Sequence, residues 1–265
     1  MRKTHSGLPG SNILKLLTLA RDLKRRKARE RQRLFSAEGV RTVEELTRSP
    51  LRIHGALVAP QLADAPRGAA LLADLRQRGI DVAEVSAQEF ASAAETDSPQ
   101  GVLAIAAVPP HSLDSLSLSP ESRIVVLDAV QDPGNVGTIL RTAAALDTTA
   151  VVAMPGTVDL WNAKVVRSAM GAGFHLPSFA TTWDALDAFR HRESFALWGA
   201  DGAGTPVFEL KPPERLALVV GNEGAGLSPD ARQRVDRLAA LPIASTVESL
   251  NVAVATGILL YQLRS

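Results

Sequence analysis

RIVVLDAVQDPGNVGTILRTAAALD, residues 123–147, holds a strand, a turn and a helix in one continuous stretch. Ile124-Val125-Val126-Leu127 is apolar at every position, the pattern of a strand covered on both faces. Pro133, Gly134 and Gly137 then compress the chain into a tight strand-to-helix turn, and the residues up to 147 continue at helical spacing. A strand running directly into a helix is the repeating unit of a parallel α/β sheet. Asn135 and Arg141, six residues apart, are within about two helical turns and are read as lying near the helix start and facing one cleft. The plainer reading of the pair is a capped helix that carries a surface arginine.

Strand patterns recur at 150–154, 195–199, 216–220 and 238–241, alternating with helical stretches near 136–147, 162–171, 183–191, 229–236 and 248–264. This predicts an α/β domain with a mainly parallel sheet, whose ligand sites lie beyond the carboxyl ends of the strands. Two further loops fall there. GNEGAGLSP, residues 221–229, sets three glycines within six residues of a strand end, which lets backbone amides approach a ligand closely. It has neither Gly-Lys-Ser/Thr nor GxGxxG, so neither nucleotide fingerprint applies. Alone, it is equally an ordinary glycine-rich turn ahead of a helix begun by Ser228-Pro229. LPIASTVESLN, residues 241–251, opens the last helix. Ser249 and Asn251 fall where its free amides point, and the Asn251 amide at the head of so apolar a helix needs a partner. An N-cap made by Ser245 or Thr246 with Glu248 accounts for the serine and the glutamate, but less well for Asn251.

Upstream, the Pro- and Ser-rich stretch around PPHSLDSLSLSP reads as a linker over 111–121, separating a domain at 1–110 from one at 122–265. In the first domain, 12–33 reads as one helix whose second half becomes the basic run 24–29, and 40–46 reads as another helix. Strand patterns at 55–58, 80–85 and 101–106, with a helix near 68–78, complete a small α/β unit. Residues 1–55 carry fourteen Lys/Arg against five Asp/Glu, whereas the rest of the chain carries fifteen against twenty-three. Such asymmetry directs the basic end towards a polyanion. Lys24, Arg25, Arg26, Lys27 and Arg29 are the candidate phosphate contacts, against the alternative of a solvated helix face. The absence of cysteine removes disulfides, thiolate nucleophiles and cysteine metal sites. No signal-type apolar stretch follows the basic N-terminus, and 250–261 is too short to span a bilayer, so a cytoplasmic protein is expected.

Together these stretches resemble the three signature motifs of the SpoU, or TrmH-like, branch of the SPOUT RNA ribose 2′-O-methyltransferases. The carrying segments are LDAVQDPGNVGTILRTAAALD (127–147), LALVVGNEGAGLS (216–228) and LPIASTVESLNVAVATGILLYQL (241–263), in the family's order and spacing. RSAMGAGFHLP (167–177) is similar to a further segment of that branch. RLFSAEGVRTVEE (33–45) and TDSPQGVLAIA (96–106) are similar to its substrate-binding domain, a small ribosomal-protein-like α/β fold. The resemblance implies a C-terminal trefoil knot, with about 238–264 threaded through a preceding loop, and homodimers paired through that region. It implies S-adenosylmethionine as cofactor, contacted at Gly199, Ala200, Asp201, Gly202, Gly221, Asn222, Glu223, Gly224, Leu241, Ile243, Ser249 and Leu250. It gives the central catalytic role to Arg141, with Asn135 orienting it and Glu223, Ser249 and Asn251 completing the site.

Methyl transfer from a sulfonium to a hydroxyl is an in-line displacement that needs no metal, only positioning and help with the hydroxyl proton. A guanidinium donates hydrogen bonds and holds its proton in water, so Arg141 is better read as favouring the alkoxide than as a base. The N-terminal domain favours ribosomal RNA of the large subunit as the implied substrate, with transfer RNA as the alternative. A non-catalytic RNA-binding protein on the same fold would be expected to lose Arg141, Asn135 or Asn251, and all three are present. A Rossmann-type methyltransferase is disfavoured, because no glycine-rich loop follows an N-terminal strand.

Overall fold

The structure, a computed structural model, describes residues 9–264. The chain forms two compact units: one runs up to Pro109 and takes in Trp161–Phe174, the other comprises Pro110–Leu160 and the chain from His175 onward.

The first unit contains α1 (Pro9–Leu23), α2 (Arg26–Gln32), β1 (Leu34–Glu38), α3 (Val40–Arg48), β2 (Ile53–Val58), α4 (Pro66–Gln77), β3 (Val82–Glu84), α5 (Ala87–Ala93) and β4 (Val102–Ala107). Its sheet has the order β1-β4-β2-β3, with β4 antiparallel to both neighbours and β3 parallel to β2. Leu16, Leu17, Ala20 and Leu23 of α1 pack in one core cluster with Leu57, Leu103, Ile105 and Phe90.

Two expectations are corrected here. The helix anticipated over 12–33 breaks after Leu23, where buried Arg29 folds back to donate to the Leu23 carbonyl at 2.7 Å and the Lys24 carbonyl at 2.9 Å. Arg29 thereby satisfies the open C-terminal carbonyls of α1. The stretch after it is a strand, β1, and all five of its residues are buried. Its sequence LFSAE shows neither alternation nor β-branching. Its buried Glu38 is tolerated because the carboxylate accepts the Glu95 amide at 2.8 Å and the Thr96 hydroxyl. Phe35 of this strand packs against Trp161, with ring centroids 4.5 Å apart, and against Phe174 at 5.8 Å.

The second unit contains β5 (Arg123–Leu127), α6 (Pro133–Ala145) and β6 (Ala150–Ala153), after which the chain leaves to form α7 (Ala163–Ser168) within the first unit. It returns as β7 (Ser178–Ala180), α8 (Trp183–Glu193), β8 (Ala196–Pro206), β9 (Leu216–Val220), α9 (Pro229–Arg234), β10 (Arg237–Ala240) and α10 (Val252–Gln262). The six strands are all parallel, in the order β10-β8-β9-β5-β6-β7. The central β5 and β9 are buried at every position, as their unbroken apolar runs require. β7 was not anticipated, since three residues give too short a pattern. β8 is longer than expected: Leu238 pairs with Gly199 but Ala239 pairs with Thr205, so the intervening residues of β8 bulge from the ladder. The last helix begins at Val252 rather than near 248. It packs closely on α6 at Gly257, where a Cβ would meet Thr142 Cγ2 at 3.2 Å, a tight contact.

Candidate active site

At the carboxyl ends of β5, β9 and β10, three loops are joined by side-chain hydrogen bonds. After β5, Asp132 caps α6 by accepting the Asn135 amide at 2.9 Å, with Pro133 at the first helical position. Asn135 then joins the other two loops. Its Nδ2 donates to Glu223 Oε1 at 3.0 Å, and its Oδ1 accepts from Asn251 Nδ2 at 2.9 Å. Asn251 is itself the cap of α10, its Oδ1 accepting the amides of Ala253 at 2.9 Å and Val254 at 3.3 Å. The partner that the Asn251 amide needed is thus double: the free helix amides and Asn135. Neither Ser245 nor Thr246 caps this helix.

Glu223 also accepts the backbone amides of Asp132 at 3.1 Å and Gln131 at 3.3 Å. Partial burial pushes its carboxyl pKa upward, but these donors outweigh that, Asn135 foremost, and hold it below the ordinary 4.5. The charge is therefore fixed as an acceptor that pins the first loop to the second. Within the second loop, Asn222 Oδ1 accepts the amides of Gly224 and Ala225, each at 3.0 Å, while its Nδ2 donates to the Ala129 carbonyl at 2.9 Å. Gly221 cannot be replaced in this turn, because a Cβ would lie 2.3 Å from the Gly226 carbonyl carbon. Gly226 supplies a left-handed φ of 68°. Below the turn, buried Asp128 accepts the Ser228 amide at 2.6 Å.

The structure therefore brings Asn135, Glu223 and Asn251 together. Arg141 is not near the helix start: it is the ninth of the thirteen residues of α6. Six residues at 100° each place it about 120° round the helix from Asn135. Arg141 and Ser249 are both exposed, and among the described residues neither has a hydrogen-bond partner. Gly199 is buried, while Ala200, Asp201 and Gly202 occupy the bulge of β8. There Asp201 accepts the Ala203 amide at 2.9 Å and pairs with Arg232. Leu241 is half-buried, and Ile243 and Leu250 are exposed beyond the end of β10. Asp132 and Asp128 went unremarked in the sequence, although Asp-Pro ahead of a helical run is a recognisable capping signature.

Of the basic-run candidates, Lys24, Arg25, Arg26 and Lys27 are exposed, whereas Arg29 is buried in the α1–α2 corner and is not a surface contact. Among the described residues no cluster of His, Asp and Glu could hold a metal ion. A cavity of about 800 Å³ lined by Arg123, Asp147, Thr148 and His175 opens at the amino ends of the strands. It lies away from the three loops, at the end of a parallel sheet where ligands do not ordinarily bind.

Three loops at the carboxyl ends of a parallel sheet thus converge through asparagines, a carboxylate and backbone amides, at the end of such a sheet where ligands bind. The chain belongs to the SpoU rRNA Methylase family, whose profile matches residues 122–261, and residues 17–104 match the MRM3-like substrate binding domain. It is 35% identical over 240 residues to the 23S rRNA (guanosine(2553)-2′-O)-methyltransferase RlmP of Bacillus subtilis, covering 90% of this chain and 92% of that one. It is 33% identical over 206 residues to the 23S rRNA (guanosine-2′-O-)-methyltransferase RlmB of Xanthomonas campestris, covering 74% and 82%. Among solved structures it is similar to the SpoU methyltransferase AviRb of Streptomyces viridochromogenes in complex with AdoMet. That match has a TM-score of 0.82 and 26% identity, over 94% of this chain and 96% of that one.

Proposed function

We propose that this chain transfers the methyl group of S-adenosylmethionine to a ribose 2′-hydroxyl of ribosomal RNA, as a cytoplasmic enzyme without a metal. The observation that carries the reading is the near full-length match to a 23S rRNA 2′-O-methyltransferase, which spans the substrate domain and all three loops. The residues fit the cofactor. Gly221 admits no side chain, open space surrounds a Cβ built at Gly226 or Gly202, and the 241–250 segment exposes Ile243, Val247 and Leu250. This offers backbone amides and apolar surface to an adenosine and a charged tail. S-adenosylmethionine supplies an electrophilic methyl.

The protein's part is positioning. Asn135, Glu223 and Asn251 lock the three loops to one another, so the cradle is set before substrate arrives. Arg141, with five N–H donors and no side-chain partner among the described residues, holds the attacking oxygen or its neighbouring phosphate and favours loss of the hydroxyl proton. Ser249, exposed one residue before Leu250, donates or accepts at the same edge.

Two features of the family extend the reading. The last strand and helix form the threaded part of a trefoil knot. Homodimers pair through α10, whose Val254, Ile258 and Tyr261 form an exposed apolar stripe at helical spacing. Residues 1–110 serve as the RNA-binding domain, joined to the methyltransferase domain at 122–265 by the 111–121 linker.

The test is methyl incorporation by chelator-treated protein into unmodified large-subunit RNA, with the position read from the alkali-resistant linkage that a 2′-O-methyl leaves. One resistant ribose is expected, and no transfer to any RNA overturns the assignment. Arg141→Ala is expected to abolish transfer with thermal stability unchanged, since the exposed side chain makes no hydrogen bond or ion pair among the described residues. Arg141→Lys should fail as well, because an ammonium cannot reproduce the planar fork.

A further inference from the structure

Most surface arginines of the N-terminal unit have a carboxylate beside them. Arg25 pairs with Asp22, Arg26 with Glu30, Arg48 with Glu45, Arg67 with Glu44, Arg76 with Glu84 and Arg78 with Asp74. Such pairs cancel locally and leave little field for a distant anion. Among the described residues Arg33 and Arg52, like Arg21 and Arg41, form no such pair. Arg33 and Arg52 are both exposed.

Far apart in sequence, the two lie at the same end of the four-stranded sheet. Arg33 immediately precedes β1 and Arg52 immediately precedes β2, and those strands flank β4. The Arg33 carbonyl accepts the Val108 amide at 2.9 Å and the Arg52 carbonyl accepts the Ala107 amide at 3.0 Å. Their backbones are therefore two strand spacings apart, about 10 Å. Arg33 Nη2 reaches only the Pro109 carbonyl, at 3.5 Å. Exposed His54 lies two residues beyond Arg52, and its pKa is held below the ordinary value by partial burial and then by the Arg52 charge. Lys27 and Arg31 are exposed on α2, which leads directly into Arg33, and the carboxylate that pairs with Arg31 is 4.0 Å away. Cations gathered without carboxylates repel one another unless an anion joins them.

We propose that Arg33 and Arg52, supported by Lys27 and Arg31 on the preceding helix and by His54 on β2, form a phosphate-binding edge by which the N-terminal unit grips ribosomal RNA. The inference rests on the rRNA reading above. It favours RNA over an anionic bilayer because, among the described residues of this unit, Leu14 and Met170 alone of the large apolar side chains are left exposed, whereas a membrane-seated surface needs an apolar face. Of the expected 24–29 run the edge takes Lys27, since Arg25 and Arg26 are already paired and Arg29 is buried.

The experiment compares full-length wild type with Arg33→Gln/Arg52→Gln, Arg33→Lys/Arg52→Lys and the charge-matched control Arg48→Gln/Arg76→Gln. Binding of a large-subunit rRNA transcript is measured over a salt series, and S-adenosylmethionine affinity by calorimetry. Each neutralised phosphate contributes about 0.7–0.9 to the slope of log affinity against log salt. The glutamine pair is expected to flatten that slope by about 1.4–1.8 and to weaken binding roughly tenfold or more at moderate salt. The lysine pair should keep most of the slope, the control should change neither quantity, and cofactor affinity should be the same throughout. Equal slopes in wild type and the glutamine pair overturn the proposal, as does an equal loss in the control. Loss of binding to anionic vesicles with RNA binding intact also overturns it. If wild type methylates rRNA in either of those cases, the edge fails while the enzymatic assignment stands. Wild type that methylates no RNA fails the assignment itself.

Discussion

Asn251 performs two tasks with one amide, and the two can be separated. Its oxygen caps α10 and its nitrogen donates to Asn135. Asn251→Asp keeps the capping oxygen but offers no donor, so thermal stability should hold near wild type while methyl transfer falls sharply. Asn251→Ala loses both, and a lost cap costs about 1 kcal/mol. Thermal melts and turnover on the same samples check the pair, and equal stability loss in both variants would remove the capping role. Glu223 adds a pH dependence. Its folded-state pKa lies below the ordinary 4.5, because the donors of Asn135, Asp132 and Gln131 outweigh the upward push of burial. Its contribution to stability is therefore present above that ordinary value and is lost as pH falls through the lower folded value. Melts run from neutral pH downward should show wild type losing stability in that acid window. Glu223→Gln should have a flatter profile there and a lower melting temperature at neutral pH.

Elements were legible where their chemistry is repetitive and obscure where a single side chain decides. The unbroken apolar runs of β5 and β9 and the Asp-Pro-Gly turn into α6 announce a parallel sheet without further help. The break between α1 and α2 depends on Arg29 turning inward to two carbonyls, and a basic run looks the same whether or not one of its members does so. β1 is a strand because Glu38 finds the Glu95 amide and the Thr96 hydroxyl from far along the chain, contacts that local periodicity does not encode. In the same way, Asn135 and Asn251 could be nominated from the sequence as polar residues at helix heads, but their mutual hydrogen bond is a tertiary fact. α10 is the clearest case for experiment. It is apolar on both sides, with Ala253, Leu259 and Leu260 buried and Val254, Ile258 and Tyr261 exposed. If the exposed stripe is a subunit interface, Ile258→Glu should raise the dimer dissociation constant by tenfold or more in sedimentation equilibrium, whereas an unchanged mass distribution would place the interface elsewhere.

At the level of the whole chain, the Pro- and Ser-rich linker suggests that the N-terminal unit could be cut free at 110. The structure makes that unit discontinuous, since Trp161–Phe174 belongs to it. A fragment ending at 110 lacks the two rings that cover Phe35. Such a fragment should melt lower and associate more readily than the same fragment fused through a flexible tether to 161–174, as calorimetry and light scattering would show. Equal behaviour would mean that the inserted segment adds nothing. At the other end of the chain, α10 is fastened twice: at its start Asn251 bonds to Asn135, and at its end Arg123, buried at the foot of β5, donates to the Leu263 carbonyl at 2.7 Å. Unwinding α10 from its end must therefore first break the Arg123 bond, which ties the helix to a central strand. A pull on the chain beyond Leu263 is thus felt at β5 in the middle of the sheet before it reaches the start of α10.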